Sequence, residues 1–104
     1  MSFFVYHRYG NSERDPPKSS FAALLDELEV RVQDEEHTSV SLLHESEWSL
    51  AVVRGGYVSF ENVEAAGPAR HMRGVSREKV LELMELLAAG DLHTLEKEPW
   101  QEGY

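Results

Sequence analysis

Histidine and carboxylate side chains are the residues of this sequence that could do acid–base chemistry or hold a metal ion. No two histidines have the spacing of a helical metal-binding pair, and the chain has no cysteine that could complete a zinc site. Glu35, Glu36 and His37 are consecutive, so they support the hypothesis of a small hydrolase with an acid–base or metal cluster. A solvated loop explains the same three residues more simply. The histidines are His7, His37, His44, His71 and His93.

Other catalytic patterns are weaker still. Glu45 and Glu47 lie close together and could form a carboxylate pair, but carboxylates in an exposed turn usually serve solvation. The Gly55-Gly56 pair lacks the flanking glycines and the lysine of a phosphate-binding loop, and no serine lies in a nucleophile-elbow pattern. The residues themselves therefore give only thin support for catalysis, and we expect no cofactor and no metal.

The acidic charge is concentrated in the centre of the chain. Residues 26–64 contain ten acids and two bases, a net charge of −8, whereas the rest of the chain contributes only −1 to the total of −9. A concentrated negative potential attracts a positively charged partner and repels nucleic acid. A solubilising surface with no partner is the simpler alternative, and composition alone does not separate the two.

Basic residues are grouped in the segment 70–79, where they could touch a phosphate. Glu78, Glu82 and Glu85 lie within or directly after this group and cancel its positive field. Nucleic-acid binding needs a basic face that survives the summed charge, so we expect these residues to pair with the acidic surface of the same molecule. The basic cluster comprises Arg70, His71, Arg73, Arg77 and Lys79.

The length of 104 residues suits a single domain, residues 1–104, that can bury a core without disulfide bonds. The apolar run from Phe3 to Tyr6 is too short for the core of a signal peptide. No apolar run approaches the roughly 20 residues that a membrane-spanning helix needs. We therefore expect a cytoplasmic protein that does not contact a membrane.

The N-terminal part of the sequence predicts one strand and one helix. The segment from Phe3 to Tyr9 is aromatic and β-branched, which suits a strand, and the glycine and prolines between Gly10 and Lys18 predict a loop. Ser19 or Ser20 can cap the helix that follows, and residues 33–37 form a polar break after it. The apolar residues at helical spacing are Phe21, Leu24, Leu25, Leu28 and Val32.

Three strands with alternating apolar residues are predicted in the middle of the chain, over 39–42, 48–53 and 57–61. The last two form a hairpin, and the length of its loop decides which side chains share a face. A two-residue loop would pair Leu50 with Glu61 and place that carboxylate beside the core. A three-residue loop, Arg54 to Gly56, pairs Leu50 with Phe60 instead, so we expect three residues.

The C-terminal part predicts a turn over 65–68, a short strand over 69–73 and a second helix. Ser76 caps this helix, Gly90 ends it, and Asp91 begins one more short turn. Trp100 is expected to pack back over the core, because an exposed tail tryptophan is a liability. The fold class is thus predicted to be α+β, with an antiparallel sheet of about four to five strands and two main helices packed on it. The buried stripe of the second helix is Val80, Leu83, Met84 and Leu87.

Three segments flank and follow the Leu/Met-rich second helix. They are Val75-Ser76-Arg77-Glu78, Leu87-Ala88-Ala89-Gly90-Asp91-Leu92 and Pro99-Trp100-Gln101-Glu102-Gly103-Tyr104. In this order they resemble the end of an immunity-protein family of bacterial polymorphic toxin systems, the type often paired with deaminase toxins. The hairpin from Trp48 to Glu64 resembles the middle of that family. The resemblance covers roughly residues 38 to 104.

This resemblance implies a small α+β domain that is not an enzyme. Its implied role is to bind and neutralise a cognate toxin domain, such as a nucleic-acid-targeting deaminase or nuclease. Contact residues cannot be carried over, because immunity families diverge where they touch the toxin, so the candidates rest on charge and position. An acidic interaction or regulatory module with an unrelated basic partner is the alternative. The candidate contacts are Asp34, Glu35, Glu36, Glu45, Glu47, Glu61 and Glu64, with Tyr57 as an anchor.

Overall fold

The structure, a computed structural model, describes residues 2–8, 11–29, 39–62, 64 and 69–102. Within these residues the protein is α+β, with seven strands in one antiparallel sheet and three helices. The strands are β1 Phe3–Tyr6, β2 Ser12–Arg14, β3 Ser39–His44, β4 Trp48–Val53, β5 Tyr57–Asn62, β6 Arg70–Met72 and β7 Gln101–Glu102. The helices are α1 Ser20–Glu29, α2 Arg77–Ala88 and α3 Leu92–Glu96. The strands lie side by side in the order β2-β1-β3-β4-β5-β6-β7.

The predicted sheet of four to five strands with two main helices was wrong in its count. The two strands that were missed lie at the two edges of the sheet, and both are short. β2 is fully exposed and lies in the segment predicted as a loop, where it is ordered by pairing with β1. β7 has two residues and pairs with β6. Neither segment has an alternation of apolar and polar residues that would predict a strand. Each is a strand only because its backbone pairs with the neighbouring strand.

The register of the β4–β5 hairpin is the one predicted from the three-residue loop. Leu50 lies opposite Phe60, and Val52 lies opposite Val58. All four side chains are buried against the helices. Since side chains alternate between the two faces, Glu61 lies on the opposite face, away from the core.

Two glycines make this tight loop possible. Gly55 has φ of 95° and Gly56 has φ of 86°, a region that residues with a Cβ rarely adopt. The carbonyl of Gly56 also accepts a hydrogen bond from the backbone amide of Val75 at 3.0 Å. This bond connects the hairpin loop to the segment that leads into α2.

The helices cover one face of the sheet and form the core with it. The predicted stripes of α1 and α2 are confirmed: Phe21, Leu24, Leu25 and Leu28 are buried, and so are all four predicted residues of α2. The predicted contribution of Val32 falls outside the described residues. Trp100 also packs on the core, because its ring stacks on Phe60 at 5.0 Å between centroids and its Nε1 donates to the carbonyl of Leu95 at 2.8 Å.

The ends of α2 and α3 follow the capping residues in the sequence. The Ser76 hydroxyl accepts a hydrogen bond from the amide of Lys79, and Gly90 lies after the C-cap with φ of 76°. The amides of Gly90 and Asp91 donate to the carbonyls of Leu87 and Leu86, which is the hydrogen-bond pattern of a Schellman motif. The chain therefore turns sharply into α3 and brings Trp100 back to the sheet.

None of the described helices packs on the other face of the sheet, which we call the open face. Its residues alternate with those of the core, and most of them are partly exposed. On the five central strands β1, β3, β4, β5 and β6, this face is formed by Phe4, Tyr6, Ser39, Ser41, Leu43, Ser49, Ala51, Val53, Tyr57, Ser59, Glu61 and His71.

The close approach of Gly56 to the lead-in of α2 predicts a large effect of a single methyl group. A Cβ at Gly56 would lie 2.7 Å from the carbonyl oxygen of Val75, whereas a Cβ at Gly55 would meet nothing within 4 Å. Gly55→Ala should cost about 1 kcal/mol for its positive φ alone, and Gly56→Ala should cost about 2–4 kcal/mol because overpacking is added. Urea unfolding of both variants measures the difference, and equal losses would contradict this account of the loop.

Candidate partner-binding surface

Four of the predicted contact residues lie at one end of the sheet. Glu45 and Glu47 lie in the turn between β3 and β4, and the β4–β5 register places Ser49 opposite Glu61 and Trp48 opposite Asn62. Glu64 follows two residues later and is exposed. The turn and the end of β5 are therefore neighbours. We call Glu45, Glu47, Glu61 and Glu64 the acidic end. The other predicted acids, Asp34, Glu35 and Glu36, fall outside the described residues.

The turn that carries Glu45 and Glu47 is fixed by backbone hydrogen bonds. The amide of Glu47 donates to the carbonyl of His44 at 2.9 Å, and the amide of Glu45 donates to the carbonyl of Ser2 at 2.9 Å. Glu47 has φ of 74°, which is unusual for a residue other than glycine, asparagine or aspartate. The backbone is thus held in a costly conformation at this turn.

His44 supports the turn from the buried side. Its Nδ1 accepts a hydrogen bond from the amide of Ser46 at 3.1 Å and lies 2.7 Å from the Ser46 hydroxyl oxygen. Because Nδ1 acts as an acceptor, the ring proton of neutral His44 lies on Nε2, which is buried and has no hydrogen-bond partner among the described residues. His44 as a whole is 3% exposed, so it supports the turn from inside the fold rather than contacting a partner.

Charge compensation differs between three acids of the acidic end and three paired acids elsewhere on the described surface. Asp26 pairs with Arg77 at 2.8 Å, Glu96 with Arg70 at 2.6 Å, and Glu98 with Lys79 at 2.5 Å. Within the described part of the chain, Glu45 and Glu64 form no ion pair, and neither does Glu47. Their negative charge is therefore left for solvent or for a partner. Two exposed acids of α2, Glu78 and Glu85, are also without an ion pair to a described residue.

The residues of the basic cluster predicted from the sequence form contacts within the same molecule. Arg70 donates two hydrogen bonds to the carboxylate of Glu96, at 2.6 and 2.8 Å, and its guanidinium lies 5.6 Å from the centroid of the Trp48 ring. The hydrogen bonds from Arg70 hold the pKa of Glu96 below its ordinary value, and the same bonds raise the pKa of Arg70. Two of the carboxylates in these pairs, Glu96 and Glu98, come from the C-terminal segment rather than from the central acidic stretch.

Tyr57, the predicted anchor, is not brought to the acidic end. It lies on the open face at the start of β5, and the four-residue separation from Glu61 along the strand corresponds to about 13 Å. Its ring stacks on His71 at 5.5 Å between centroids, and the guanidinium of Arg73 lies 5.3 Å from the ring centroid. Tyr57 is therefore engaged within its own molecule.

A cluster around His7 was not predicted from the sequence. Its Nδ1 lies 2.5 Å from a carboxylate oxygen of Glu27, and its Nε2 lies 2.6 Å from a carboxylate oxygen of Glu13. Arg8 completes the cluster, since its backbone amide and its guanidinium donate to Glu27. The hydrogen bond that the His7 ring donates to the Glu27 carboxylate is the main cause that raises the pKa of His7, and the one to Glu13 adds to it. This cluster fastens β1 and β2 to α1.

The described residues hold no group of three or more side chains suited to a metal ion, and the Glu35-Glu36-His37 candidate lies outside them. No helix in the described part of the chain is long and apolar enough to cross a membrane. Comparisons with protein-family models, with curated proteins and with solved structures found no match. The case for a function therefore rests on the surface itself and on the resemblance noted in the C-terminal segments.

The doubly hydrogen-bonded His7 predicts a stability that decreases with rising pH. Because its folded-state pKa is raised above 6.5, the contribution of His7 is complete below pH 6.5 and is lost as the pH rises through the folded-state value. Relative to His7→Gln, the wild type should therefore lose free energy of unfolding above pH 6.5. Urea unfolding across a pH series measures this, with exposed His93→Gln as the control. Parallel profiles for wild type and His7→Gln would contradict the assignment.

Proposed function

We propose that this protein is a cytoplasmic immunity protein that binds and neutralises a cognate toxin domain of a polymorphic toxin system made by the same cell. The acidic end is the observation that carries the proposal. There the carboxylates of Glu45, Glu47 and Glu64 have no cation among the described residues, and the turn that carries Glu45 and Glu47 has a backbone held by hydrogen bonds. The resemblance of the C-terminal segments to an immunity family supplies the partner class.

The chemistry of the partner follows from the charge. A toxin that acts on nucleic acid, such as a deaminase or a nuclease, needs a basic cleft that attracts phosphates. Carboxylates that project from one end of a rigid sheet are complementary to such a cleft, and they increase the rate of encounter with it. Bound there, the acidic end excludes the nucleic acid by occupying its place. The immunity protein itself needs no catalytic group for this task.

The conformation of Glu47 supports the same interpretation. A non-glycine residue with positive φ typically costs about 1–2 kcal/mol, and such residues cluster at functional positions. A glycine or an asparagine at position 47 would relieve the cost but would remove the carboxylate, and an aspartate would keep the carboxylate on a shorter side chain. The strained turn is thus understandable if the charge at this position serves binding.

Removal of charge from the acidic end should slow association with the toxin domain encoded beside this protein. For the double variant Glu45→Gln/Glu64→Gln we expect an association rate constant lower by about tenfold at low salt, with a weaker dependence on ionic strength. Stopped-flow mixing measures both quantities. Toxicity of the co-expressed toxin domain, which the wild type should suppress, gives the corresponding readout in cells.

The matched control is Glu78→Gln/Glu85→Gln, which changes the net charge equally but alters exposed acids of α2. This control should associate at nearly the wild-type rate. Equal rates for both double variants would mean that only the net charge matters, and the assignment to the acidic end would then be wrong. If the wild type shows no binding to the toxin domain and no protection, the immunity function itself is refuted.

Two substitutions of Glu47 separate its charge from its backbone conformation. Glu47→Asn should associate more slowly with the toxin domain and raise the free energy of unfolding by up to about 1 kcal/mol, because asparagine tolerates positive φ. Glu47→Gln should slow association to the same extent without any gain in stability. Thermal melts and association rates measure the two effects. A Glu47→Asn protein that binds like the wild type would exclude this carboxylate from the interface.

A further inference from the structure

Part of the open face carries large apolar side chains next to small ones. Phe4 of β1 lies directly opposite Leu43 of β3, and Tyr6 lies two residues further along β1 on the same face. All three are partly exposed. The next strand contributes Ala51, with serines around it. We call Phe4, Tyr6, Leu43 and Ala51 the apolar patch.

The two-faced alternation of the sheet explains why these residues are not in the core. Val5 lies between Phe4 and Tyr6 and is buried under the helices, as is Leu42 beside Leu43. The residues of the patch therefore face away from the described helices, all three of which lie on the opposite side. An antiparallel sheet that leaves one face to solvent usually places polar side chains there. An aromatic and aliphatic group at this position indicates a contact surface.

The patch is continuous with the acidic end. The row of residues across the sheet runs from Phe4 through Leu43 and Ser49 to Glu61, one of the four acids. Glu45 and Glu47 lie in the turn that directly follows β3, close to Leu43. On the other side of Phe4, β2 places Arg14 opposite it. The Nε of Arg14 lies 3.7 Å from a carboxylate oxygen of Asp15, so the positive charge of Arg14 is compensated. The patch is thus bordered by negative charge on the side of the acidic end.

We propose that the apolar patch is the centre of the interface with the basic protein partner, and that the acidic end is its charged rim. This inference rests on the proposed function for the identity of the partner and adds the surface that anchors it. The complementary surface carries lysines or arginines beside an exposed apolar side chain. A second copy of this chain does not fit, because two molecules with a net charge of −9 repel each other.

The energetic roles of the two parts differ. Charges at the rim mainly set the association rate, whereas desolvated apolar and aromatic side chains at the centre of an interface set the dissociation rate. Phe4, Tyr6 and Leu43 each have only two main side-chain torsions, so they contribute apolar area at a small loss of rotamer entropy. The strip of small residues that contains Ala51 and Ser49 leaves room for a side chain of the partner.

A large side chain in the centre of the patch tests this inference. We expect Ala51→Arg to raise the Kd for the toxin domain encoded beside this protein by about tenfold or more, mainly through faster dissociation. The matched control is Ala23→Arg, the same substitution at an exposed position of α1. This control should change the Kd by less than about twofold. Surface plasmon resonance with the purified toxin domain measures both rate constants.

A second pair of variants removes apolar surface without inserting a bulky group. Leu43→Thr keeps a residue with high strand propensity, and we expect it to weaken binding by about tenfold. Its control is Val53→Thr, which lies on the same face but at the opposite end of the sheet. Circular dichroism and thermal melts establish that each variant is folded. If Ala51→Arg alone fails to fold, the Leu43→Thr pair decides.

The outcomes separate this inference from the proposed function. Binding that is weakened by Glu45→Gln/Glu64→Gln but is unchanged by Ala51→Arg and Leu43→Thr would overturn the inference and leave the immunity function standing. Absence of any binding by the wild type would overturn both. Light scattering that shows a wild-type dimer which Ala51→Arg dissociates would assign the patch to a second copy, and it would also overturn the inference.

Discussion

The register of the β4–β5 hairpin is the constraint on which the rest of the structure depends. Its three-residue loop places Leu50 opposite Phe60 and so assigns every side chain of the two central strands to one face or the other. A slip of one residue would turn Glu61 toward the core and Phe60 toward solvent. The loop holds this register because two consecutive glycines accept positive φ and because the Gly56 carbonyl is bonded to the lead-in of α2.

The register of the β4–β5 hairpin determines which side chains form the core. Phe60 is completely buried between the rings of Trp48, at 4.7 Å, and Trp100, at 5.0 Å between centroids. Arg70 covers the same aromatic group, with its guanidinium 5.2 Å from the centroid of Phe60, and its bidentate contact with Glu96 fixes α3 beside the sheet. The basic cluster therefore stabilises the fold, whereas Glu45, Glu47 and Glu64 of the acidic end have no ion pair with a described residue. The packing of the core and the composition of the candidate surface thus follow from one division of side chains between two faces.

Much of the local structure could be predicted because it depends on short-range patterns. The buried stripe of α2, its Ser76 cap and its end at Gly90 all follow from residues within a turn or two of each other. The edge strands β2 and β7 could not be predicted, because strands of three and two residues are defined by hydrogen bonds to a distant partner. The same reason hid the contacts of His7 with Glu27, which lies twenty residues away in the sequence.

The candidate surface, too, has features that the sequence predicts and features that only long-range pairing determines. By itself, the sequence determined that the central stretch is strongly acidic, that it contains a hairpin with Glu61 outside the core, and that no recognised catalytic motif is present. Only the tertiary structure decided that Glu45, Glu47, Glu61 and Glu64 share one end of the sheet and that Tyr57 lies at the other. It also decided that Phe4 and Leu43 lie beside those acids on a face without a described helix. Composition sets the total charge, whereas strand pairing sets which charges and apolar side chains are neighbours, because residues far apart in the chain meet only through the sheet.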